Sequence, residues 1–260
     1  MAKVNHCLGS LSLVIPCFNE ESAIQPVLRR CVEARERLLL ENHFKSVEII
    51  VVDDGSTDLS PSIASTFREV RLLRLPKRLG YGAALKAGFM DSKGDWLAMI
   101  DMDATYDPMN FFDGLIHLKH DRHHIVLGDR LSQISGMPLT RKIGNKFFVS
   151  MIRIFHGKKV LDSCTGFRIL PKTWFTENLK FLPDDLNFSL AMTLLMLQKK
   201  NSYTEIPIEY STRKGQSKLN VVFHGFEFLW TIVRTTFNNP SPDSDITMKS
   251  IEDSSVVTIK

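Results

Sequence analysis

The stretch Trp96–Pro108, WLAMIDMDATYDP, says more about the fold than any other part of the chain. Its apolar beginning predicts a buried strand, Trp96–Ile100, which ends at Asp101. Asp103 follows two positions later, so both carboxylates point to the same side of an extended chain. Asp is common in turns, and a turn alone would explain one acidic residue. Two like charges at this spacing repel each other unless a cation lies nearby, and Mg²⁺ or Mn²⁺ prefers such oxygen ligands.

The chain on either side of this stretch alternates between apolar runs and amphipathic helical patterns. This alternation indicates an α/β fold, with a mostly parallel central sheet and helices on both faces. Ligands bind such sheets at the carboxyl ends of the strands. The other predicted strands are Leu11–Ile15, Val47–Val52, Val70–Leu75, His124–Leu127, Gly166–Leu170 and Tyr203–Tyr210, and the main predicted helices are Ser22–Leu40, Tyr81–Asp91, Ile143–Phe155 and Phe188–Lys199.

Two further strand ends carry polar or aromatic side chains. Asp53 and Asp54 follow the second apolar run, and Pro16, Phe18 and Glu20 follow the first. A tight turn that caps the next helix is the structural alternative for the acidic pair. Because the carboxyl ends of parallel strands meet at one edge, we expect all three strand ends to face one crevice.

Composition limits the class of protein. With 260 residues, 43% hydrophobic and 24% charged, the chain is typical of a globular domain with a substantial core. The net charge of +4 is compatible with a phosphate-bearing ligand or an anionic membrane surface. The four cysteines form no CxxC pair, which favours reduced thiols and a cytoplasmic location. We expect an extension over residues 1–10, one domain over 11–220, an amphipathic helix over 221–237 and a disordered polar tail over 238–260.

Seven motifs together resemble the family two glycosyltransferases, in particular the branch of dolichol-phosphate mannose synthases and bacterial polyprenyl-phosphate glycosyltransferases. The resemblance covers residues 11–237 and implies a GT-A fold, whose nucleotide-binding half is Rossmann-like, with a C-terminal amphipathic helix. It also implies inverting transfer of a hexose from a nucleotide-diphosphate sugar, of the GDP-mannose or UDP-glucose type, to polyprenyl phosphate. The motifs are LVIPCFNEE, EIIVVDDGSTD, RLGYGAALKAGF, IDMDATYDP, GDR, DSCTGFRIL and RKGQSKL.

The resemblance assigns roles to the strand ends. Asp101 and Asp103 would hold the Mg²⁺ or Mn²⁺ ion that bridges the donor diphosphate and acts as a Lewis acid. The residues that would line the nucleoside pocket are Pro16, Phe18, Glu20 and one or both of Asp53 and Asp54.

A glycine-containing turn is the next part of the predicted donor site. Gly80 and Gly82 would let the backbone approach the nucleotide closely. Lys86 is either a nucleotide contact or a solvated surface lysine.

Four cations are candidates for binding the phosphates: Arg130, Arg168, Arg213 and Lys218. A lipid phosphate acceptor is already anionic, so it needs neutralisation and alignment more than deprotonation. Ser217 and Lys218 would belong to a loop that orders over the phosphates. Surface ion pairs are the alternative for each cation. We expect Arg168→Ala to impair transfer more than stability.

Dolichol-phosphate mannose synthases commonly have a Glu-containing helix after the TGFR motif. This chain reads PDDLNFSLAMT there, so the resemblance assigns the role of that Glu to no residue. Asp184, Asp185 and Asn187 are polar candidates nearby, although helix capping would explain the two aspartates equally well.

Two helices are candidates for contact with a membrane. Val221–Phe237 contains charged residues and is too short to span a bilayer, but it could lie in the interface with Phe228, Trp230 and Ile232 among its apolar groups. Ile143–Phe155 has basic flanks and could do the same. Packing against the core is the alternative for both helices.

The sequence thus predicts a peripheral, metal-dependent hexosyltransferase at the cytoplasmic face of a membrane, with a nucleotide sugar and polyprenyl phosphate as substrates and no nucleic-acid partner. One alternative is a soluble family two transferase that acts on a protein or glycan. Another is a catalytically silent subunit that binds nucleotide sugar or docks onto a membrane-protein partner.

Overall fold

A computed structural model of the protein describes residues 7–115, 117–118, 124–132, 136–213, 221–237 and 257–259. The strands are β1 Ser10–Cys17, β2 Ser46–Asp53, β3 Val70–Arg74, β4 Trp96–Met99, β5 Ile125–Asp129, β6 Arg168–Pro171, β7 Tyr203–Pro207 and β8 Val257–Ile259. The helices are α1 Glu21–Leu40, α2 Ser60–Ala64, α3 Tyr81–Asp91, α4 Phe111–Leu115, α5 Leu139–His156, α6 Lys172–Asn178, α7 Phe188–Gln198 and α8 Val221–Phe237. The predicted alternation of strands and helices is confirmed.

These strands form one sheet in the order β7-β5-β6-β4-β1-β2-β3-β8. The central strands are parallel, and Leu13 of β1 aligns with Ile49 of β2 and Ala98 of β4. Strand β6 runs antiparallel to both of its neighbours, β4 and β5. The mostly parallel sheet predicted from the sequence is therefore confirmed, and its carboxyl edge brings the ends of β1, β2 and β4 together.

Helices cover both faces of the sheet because alternate side chains of each buried strand point to opposite sides. Leu13 and Ile15 of β1 pack in the same apolar cluster as Ile24 and Leu28 of α1. Val14, between them, packs in the second cluster, to which α3, α6 and α7 contribute. Each face therefore has its own core, which leaves the strand ends free to carry polar side chains.

Helix α8 packs against α5 and α7 with one face. The rings of Phe148 and Phe228 lie 5.4 Å apart, and Ile232 is fully buried. Phe228 and Ile232 were predicted to be candidate membrane groups, and the structure instead places them inside; Trp230 is 65% exposed, as the prediction requires. In the part of the chain that the structure describes, no helix combines the length and apolar character needed to cross a bilayer.

The tail predicted to be disordered lies outside the described residues, apart from the three residues of β8. This strand pairs antiparallel with β3 at the edge of the sheet, where Thr258 aligns with Leu73.

Candidate active site

A cavity of about 530 Å³ opens at the carboxyl edge of the sheet. It brings together side chains from β1, from the loops after β2, β4 and β5, and from helices α5 and α8. Of the residues predicted to form the site, nine line this cavity: Pro16, Phe18, Glu20, Asp54, Gly80, Asp101, Asp103, Arg130 and Arg213. The predicted convergence of the three strand ends is thus observed.

Asp101 is held from two sides. The Tyr81 hydroxyl donates to Asp101 Oδ1 at 2.9 Å. On the other side lies Gly166, where a Cβ atom would come within 2.3 Å of Asp101 Oδ2, so only glycine leaves room for the carboxylate. Burial, together with the nearby Asp103 charge, raises the pKa of Asp101 to about 6. The ionised Asp101 carboxylate is therefore stabilised by any cation that enters the cavity.

Asp103 is buried and has both local and distant partners. Its Oδ1 accepts from the Thr105 backbone N–H at 3.1 Å and from the Thr105 hydroxyl at 2.6 Å. Its Oδ2 lies 3.1 Å from Nη1 of Arg213, whose Nη2 donates to Glu20 Oε1 at 2.8 Å. Ala104, between the two aspartates and Thr105, has a φ of 61° in the left-handed region. This backbone conformation turns the chain sharply directly after Asp103.

The carboxylate oxygens of Asp101 and Asp103 suit a divalent cation. Asp101 and Asp103 both line the cavity and offer the oxygen ligands that Mg²⁺ and Mn²⁺ prefer. Within the described ranges, no group of three or more His, Cys, Asp or Glu side chains forms a complete metal site. Magnesium often takes only one or two protein carboxylates and completes its shell with substrate phosphates and water. The two aspartates are therefore compatible with a metal that arrives with a diphosphate.

The two aspartates at the end of β2 have different roles. Asp54 lines the cavity and accepts from the backbone N–H groups of Leu79 at 2.6 Å and Gly80 at 3.0 Å. Asp53 is turned away from the cavity and accepts from Arg74 Nε at 3.1 Å. The prediction left open whether one or both would line the nucleoside pocket, and in this structure only Asp54 is placed to do so.

Arg78 was missed by the sequence analysis. Its guanidinium carbon lies 4.4 Å from the centroid of the Phe18 ring, and both side chains line the cavity. Arg78 is the first residue of the motif RLGYGAALKAGF, so its place in the sequence could have identified it as a site candidate. The pair places a cation over the aromatic ring predicted to pack on the nucleoside.

Gly80 and Gly82 make room for the protein backbone. A Cβ atom on Gly80 would lie 2.5 Å from the Asp184 carbonyl oxygen, and one on Gly82 would lie 2.3 Å from that of Pro183. Lys86 Nζ lies 2.8 Å from Asp184 Oδ1 and does not line the cavity. The expectation of nucleotide contacts at Gly82 and Lys86 is corrected accordingly: the first turn of α3 packs against the segment around Asp184.

Arg130 reaches the cavity while it is anchored from behind. Its Nε and Nη2 donate to the two oxygens of the fully buried Asp162 at 2.5 and 2.7 Å. Its Nη1 donates to the Tyr106 hydroxyl at 3.1 Å. Burial would raise the pKa of Asp162, but the facing guanidinium, together with hydrogen bonds from Asn145 and the Arg130 backbone, lowers it. Arg130 is thus a fixed cation at the wall of the cavity.

Arg168 does not line the cavity. It is 1% exposed, and its guanidinium donates to the Thr165 carbonyl at 3.1 Å, the Ser189 carbonyl at 2.8 Å and the Thr193 hydroxyl at 2.9 Å. Burial lowers its pKa to about 10. The predicted contact with a phosphate is therefore corrected: strand β6 carries this side chain inward, where it ties the 163–165 loop to α7.

Ser217 and Lys218, the predicted contacts of a phosphate-covering loop, lie outside the described residues. Several cavity residues were not predicted to belong to the site because tyrosine, asparagine and helix-borne arginine carry no distinctive spacing. They include Tyr81, Tyr106, Arg141, Asn145 and Tyr210. Asp185, one of the polar candidates named from the sequence, also lines the cavity.

The profile of the family described as "Glycosyl transferase family 2" matches residues 12–179 of the chain. The chain belongs to glycosyl transferase family 2. The resemblance inferred from the seven motifs is confirmed at the level of the family.

The chain is similar to two relatives that act on dolichyl phosphate by their names. Dolichyl-phosphate beta-glucosyltransferase ALG5C of Trichomonas vaginalis is 28% identical in a match of 227 residues that covers 81% of this chain and 66% of that protein. Dolichol-phosphate mannosyltransferase of Pyrococcus furiosus is 28% identical in a match of 218 residues that covers 80% of this chain and 59% of the relative. The chain thus spans less than two thirds of the length of either relative.

A solved structure supports the GT-A fold of this family 2 member. Glucosyl-3-phosphoglycerate synthase from Mycobacterium tuberculosis, crystallised with Mn²⁺, UDP-glucose and phosphoglyceric acid, matches with a TM-score of 0.66 and 18% identity. The match covers 89% of this chain and 81% of the synthase. At this level of identity the comparison concerns the fold, and the predicted GT-A fold is confirmed.

Proposed function

We propose that this family 2 protein transfers a hexose, with inversion, from a nucleoside diphosphate sugar to a polyprenyl phosphate. The observation that carries the proposal is the arrangement of charge in the cavity. Asp101 and Asp103 lie in the same cavity as Arg130, Arg141 and Arg213, so a carboxylate pair and a group of guanidinium groups face one space. The carboxylates suit a metal–diphosphate donor, and the guanidinium groups suit an anionic acceptor.

In this proposal some residues bind the sugar donor and others bind the acceptor. Asp101 and Asp103 hold the divalent ion, which supplies Lewis acidity toward the departing diphosphate when it is bound. Arg130 neutralises and orients the acceptor phosphate, whose oxygen attacks the anomeric carbon of the hexose. The bond between that carbon and the acceptor oxygen forms as the bond to the diphosphate breaks, and the electron pair leaves with the nucleoside diphosphate. A phosphate monoester needs no side chain to remove a proton.

The outer face of α5 and α8 supports peripheral binding to a membrane. It presents exposed apolar side chains, while the inner face of the same helices lines the cavity through residues such as Asn145 and Phe228. Helix α5 contains no Asp or Glu and carries Lys146 and Arg153 among its exposed residues. A lipid-borne phosphate at such a surface would lie beside the cavity. The exposed apolar residues of the outer face are Leu139, Ile143, Phe147, Ile154, Phe226 and Trp230.

A vesicle experiment tests this face. The double variant Phe226→Ser/Trp230→Ser should lose cosedimentation with vesicles of phosphatidylcholine and phosphatidylglycerol. Leu40→Ser, at a side chain that is 82% exposed on α1, is the matched control and should bind like the unchanged protein. Equal binding of all three proteins would refute the assignment, as would binding only in the presence of a membrane-protein partner.

A hydroxyl-bearing acceptor is the second candidate. Asp185, at the start of the segment leading into α7, lines the cavity and could accept the proton of an attacking hydroxyl group. The protein would then act on a glycan or another alcohol.

Radiolabel transfer tests the proposed reaction. The full chain is incubated with Mn²⁺, farnesyl phosphate and each of several labelled donors, among them UDP-glucose and GDP-mannose. Label should enter the organic phase from one donor and only with the metal present. Label that stays in the aqueous phase as nucleoside diphosphate sugar, despite measurable nucleotide binding, would contradict the proposal.

A further inference from the structure

Glu205, on β7, lies outside the cavity but makes specific contacts with a loop that leads to it. Its Oε1 accepts from the backbone N–H of Leu161 at 2.6 Å and from that of Asp162 at 3.1 Å. One carboxylate oxygen thus binds two consecutive peptide groups in the segment between α5 and β6. The contact fixes the position of the main chain at Asp162.

Asp162 connects this loop to Arg130 at the cavity wall. Both of its oxygens bind the Arg130 guanidinium, and Oδ1 also accepts from Asn145 Nδ2 at 2.6 Å. Asp162 is fully buried, so water cannot replace either of its two contacts with Arg130. A displacement of the Asp162 main chain would therefore disturb both contacts that hold the Arg130 guanidinium. Arg130 in turn lines the cavity and donates to Tyr106.

The charges around Glu205 are unusual for a purely structural anchor. Asp129 and Asp162 both raise the electrostatic cost of a negative charge on Glu205, and Asp129 is itself 1% exposed. Glu205 thus lies within electrostatic reach of two further carboxylates, and one of these, Asp162, pairs with the Arg130 guanidinium. Grouping like charges in this way is costly, and the carboxylate at its centre, Asp162, holds the Arg130 guanidinium through both of its oxygens.

We propose that Glu205 is a positioning residue for the acceptor phosphate: through the loop at Asp162 it fixes the guanidinium of Arg130. This inference rests on the proposed function, in which Arg130 binds that phosphate. Glu205 itself touches neither substrate, so its effect belongs to acceptor binding and not to the donor. The same geometry defines what each substitution of Glu205 should do.

Steady-state kinetics of the full chain, with farnesyl phosphate as the varied acceptor, test the proposal. Glu205→Ala removes the acceptor of both N–H groups and should raise the KM for farnesyl phosphate about tenfold, within the usual range of coupling between residues in one network. The KM for the donor should stay the same. Glu205→Gln keeps an oxygen at the same position and should restore the KM. Glu209→Ala, at an exposed acid four residues further on, is the matched control.

A second variant covers the possibility that Glu205→Ala does not fold. Glu205→Asp keeps the charge but withdraws the oxygen by one methylene group, so it breaks both N–H contacts with less loss of polarity. It should show the same acceptor-specific defect. A proportional loss of kcat for all substrates, with unchanged KM values, would overturn the positioning role.

Arg130→Gln separates the failure of this inference from the failure of the proposed function. If Arg130→Gln leaves the KM for farnesyl phosphate unchanged, Arg130 does not bind the acceptor and the proposed function loses its basis. If Arg130→Gln raises that KM but Glu205→Ala and Glu205→Asp do not, the proposed function stands and the role of Glu205 is refuted. The expected result is that Glu205→Ala adds no further rise in KM in the Arg130→Gln background.

Discussion

Arg213 bridges the ends of two strands by pairing with Asp103 at 3.1 Å and with Glu20 at 2.8 Å. All three side chains line the cavity, and the two carboxylates are less than 10% exposed. The guanidinium thus neutralises one member of the aspartate pair proposed to hold a metal. It links the proposed metal site to the end of β1.

Arg213→Gln should destabilise the metal-free protein, because it leaves two nearly buried carboxylates without their cation. The expected loss is about 3 kcal/mol, as for other broken buried ion pairs. Mn²⁺ should raise the Tm of this variant more than that of the unchanged protein, since the ion replaces part of the missing charge. Thermal melts with and without Mn²⁺ measure both effects, and an equal Mn²⁺ response in the two proteins would contradict the account.

Asp103→Asn should abolish Mn²⁺-dependent binding of UDP or GDP while the protein remains folded. The variant loses the ion pair with Arg213, which keeps Glu20 as a partner, while the amide keeps an oxygen for Thr105 and repulsion from Asp101 disappears. Because these effects oppose each other, the change in Tm should be within about 2–4 °C, equivalent to about 1 kcal/mol in a chain of this size. Isothermal titration with each nucleotide, with and without Mn²⁺, is the measurement. Unchanged affinity for the nucleotide in the presence of Mn²⁺ would remove Asp103 from the metal site.

Tyr81→Phe removes a single oxygen atom, the donor to Asp101 at 2.9 Å. Because partners of metal ligands orient them, the variant should bind Mn²⁺ about 10-fold more weakly. Electron paramagnetic resonance of free Mn²⁺ gives the affinity directly, without any assay of activity. Phe175→Leu, at a ring that contacts Phe89 away from the cavity, is a control for altered packing and should leave the Mn²⁺ affinity unchanged.

Arg168→Ala should destabilise the protein by about 3–5 kcal/mol, because it creates a cavity and leaves the Thr165 carbonyl without its donor. This reverses the expectation drawn from the sequence, where Arg168 was a candidate for phosphate binding. Urea unfolding gives the free energy directly. A variant with unchanged stability and a selective loss of transfer would restore the original interpretation.

The pH dependence of stability follows from Glu205. Burial, opposed by two backbone N–H groups and assisted by Asp129 and Asp162, raises its pKa to about 7. A carboxyl group that binds its proton more tightly in the folded state makes stability fall as pH rises from the unfolded pKa through the folded pKa. Glu205→Gln should therefore be more stable than the unchanged protein at pH 8, and the two should be alike near pH 5.

The size of this effect is modest because Glu205 is only half-buried. After a discount for solvent screening, about 1 kcal/mol remains, which corresponds to about 2–4 °C in Tm. Melting curves of both proteins between pH 5 and pH 8 would show the difference. A gap in Tm that does not change with pH would contradict the assigned titration.

The sequence predicted those parts of the site that depend on local pattern. Asp101 and Asp103 were found because a strand end fixes where both side chains point, and Glu20 because it follows another strand of the same sheet. Contacts between distant segments could not be predicted in this way. Arg168 begins a short strand and Arg130 follows one, and both belong to the motifs quoted above. Yet Arg168 donates to backbone carbonyl groups in the interior, whereas Arg130 lines the cavity.

The same limit explains the two glycines after β3. Gly80 and Gly82 were expected to let the backbone approach the nucleotide, but the group that approaches them in the structure is the segment at Pro183–Asp184, about a hundred residues away in the chain. The sequence next to the glycines does not indicate which segment will pack against them. The antiparallel insertion of β6 is likewise set by its pairing with β4 and β5 rather than by its own apolar run.

The most direct test of the central claim compares farnesyl phosphate with farnesol as the acceptor for the same labelled donor and Mn²⁺. The two molecules share their apolar chain and differ in the group that attacks the sugar. The cluster of guanidinium groups in the cavity predicts labelled product from farnesyl phosphate and none from farnesol. Transfer to farnesol, or to a soluble glycan with none to farnesyl phosphate, would contradict the account and assign the reaction to a hydroxyl acceptor activated by Asp185.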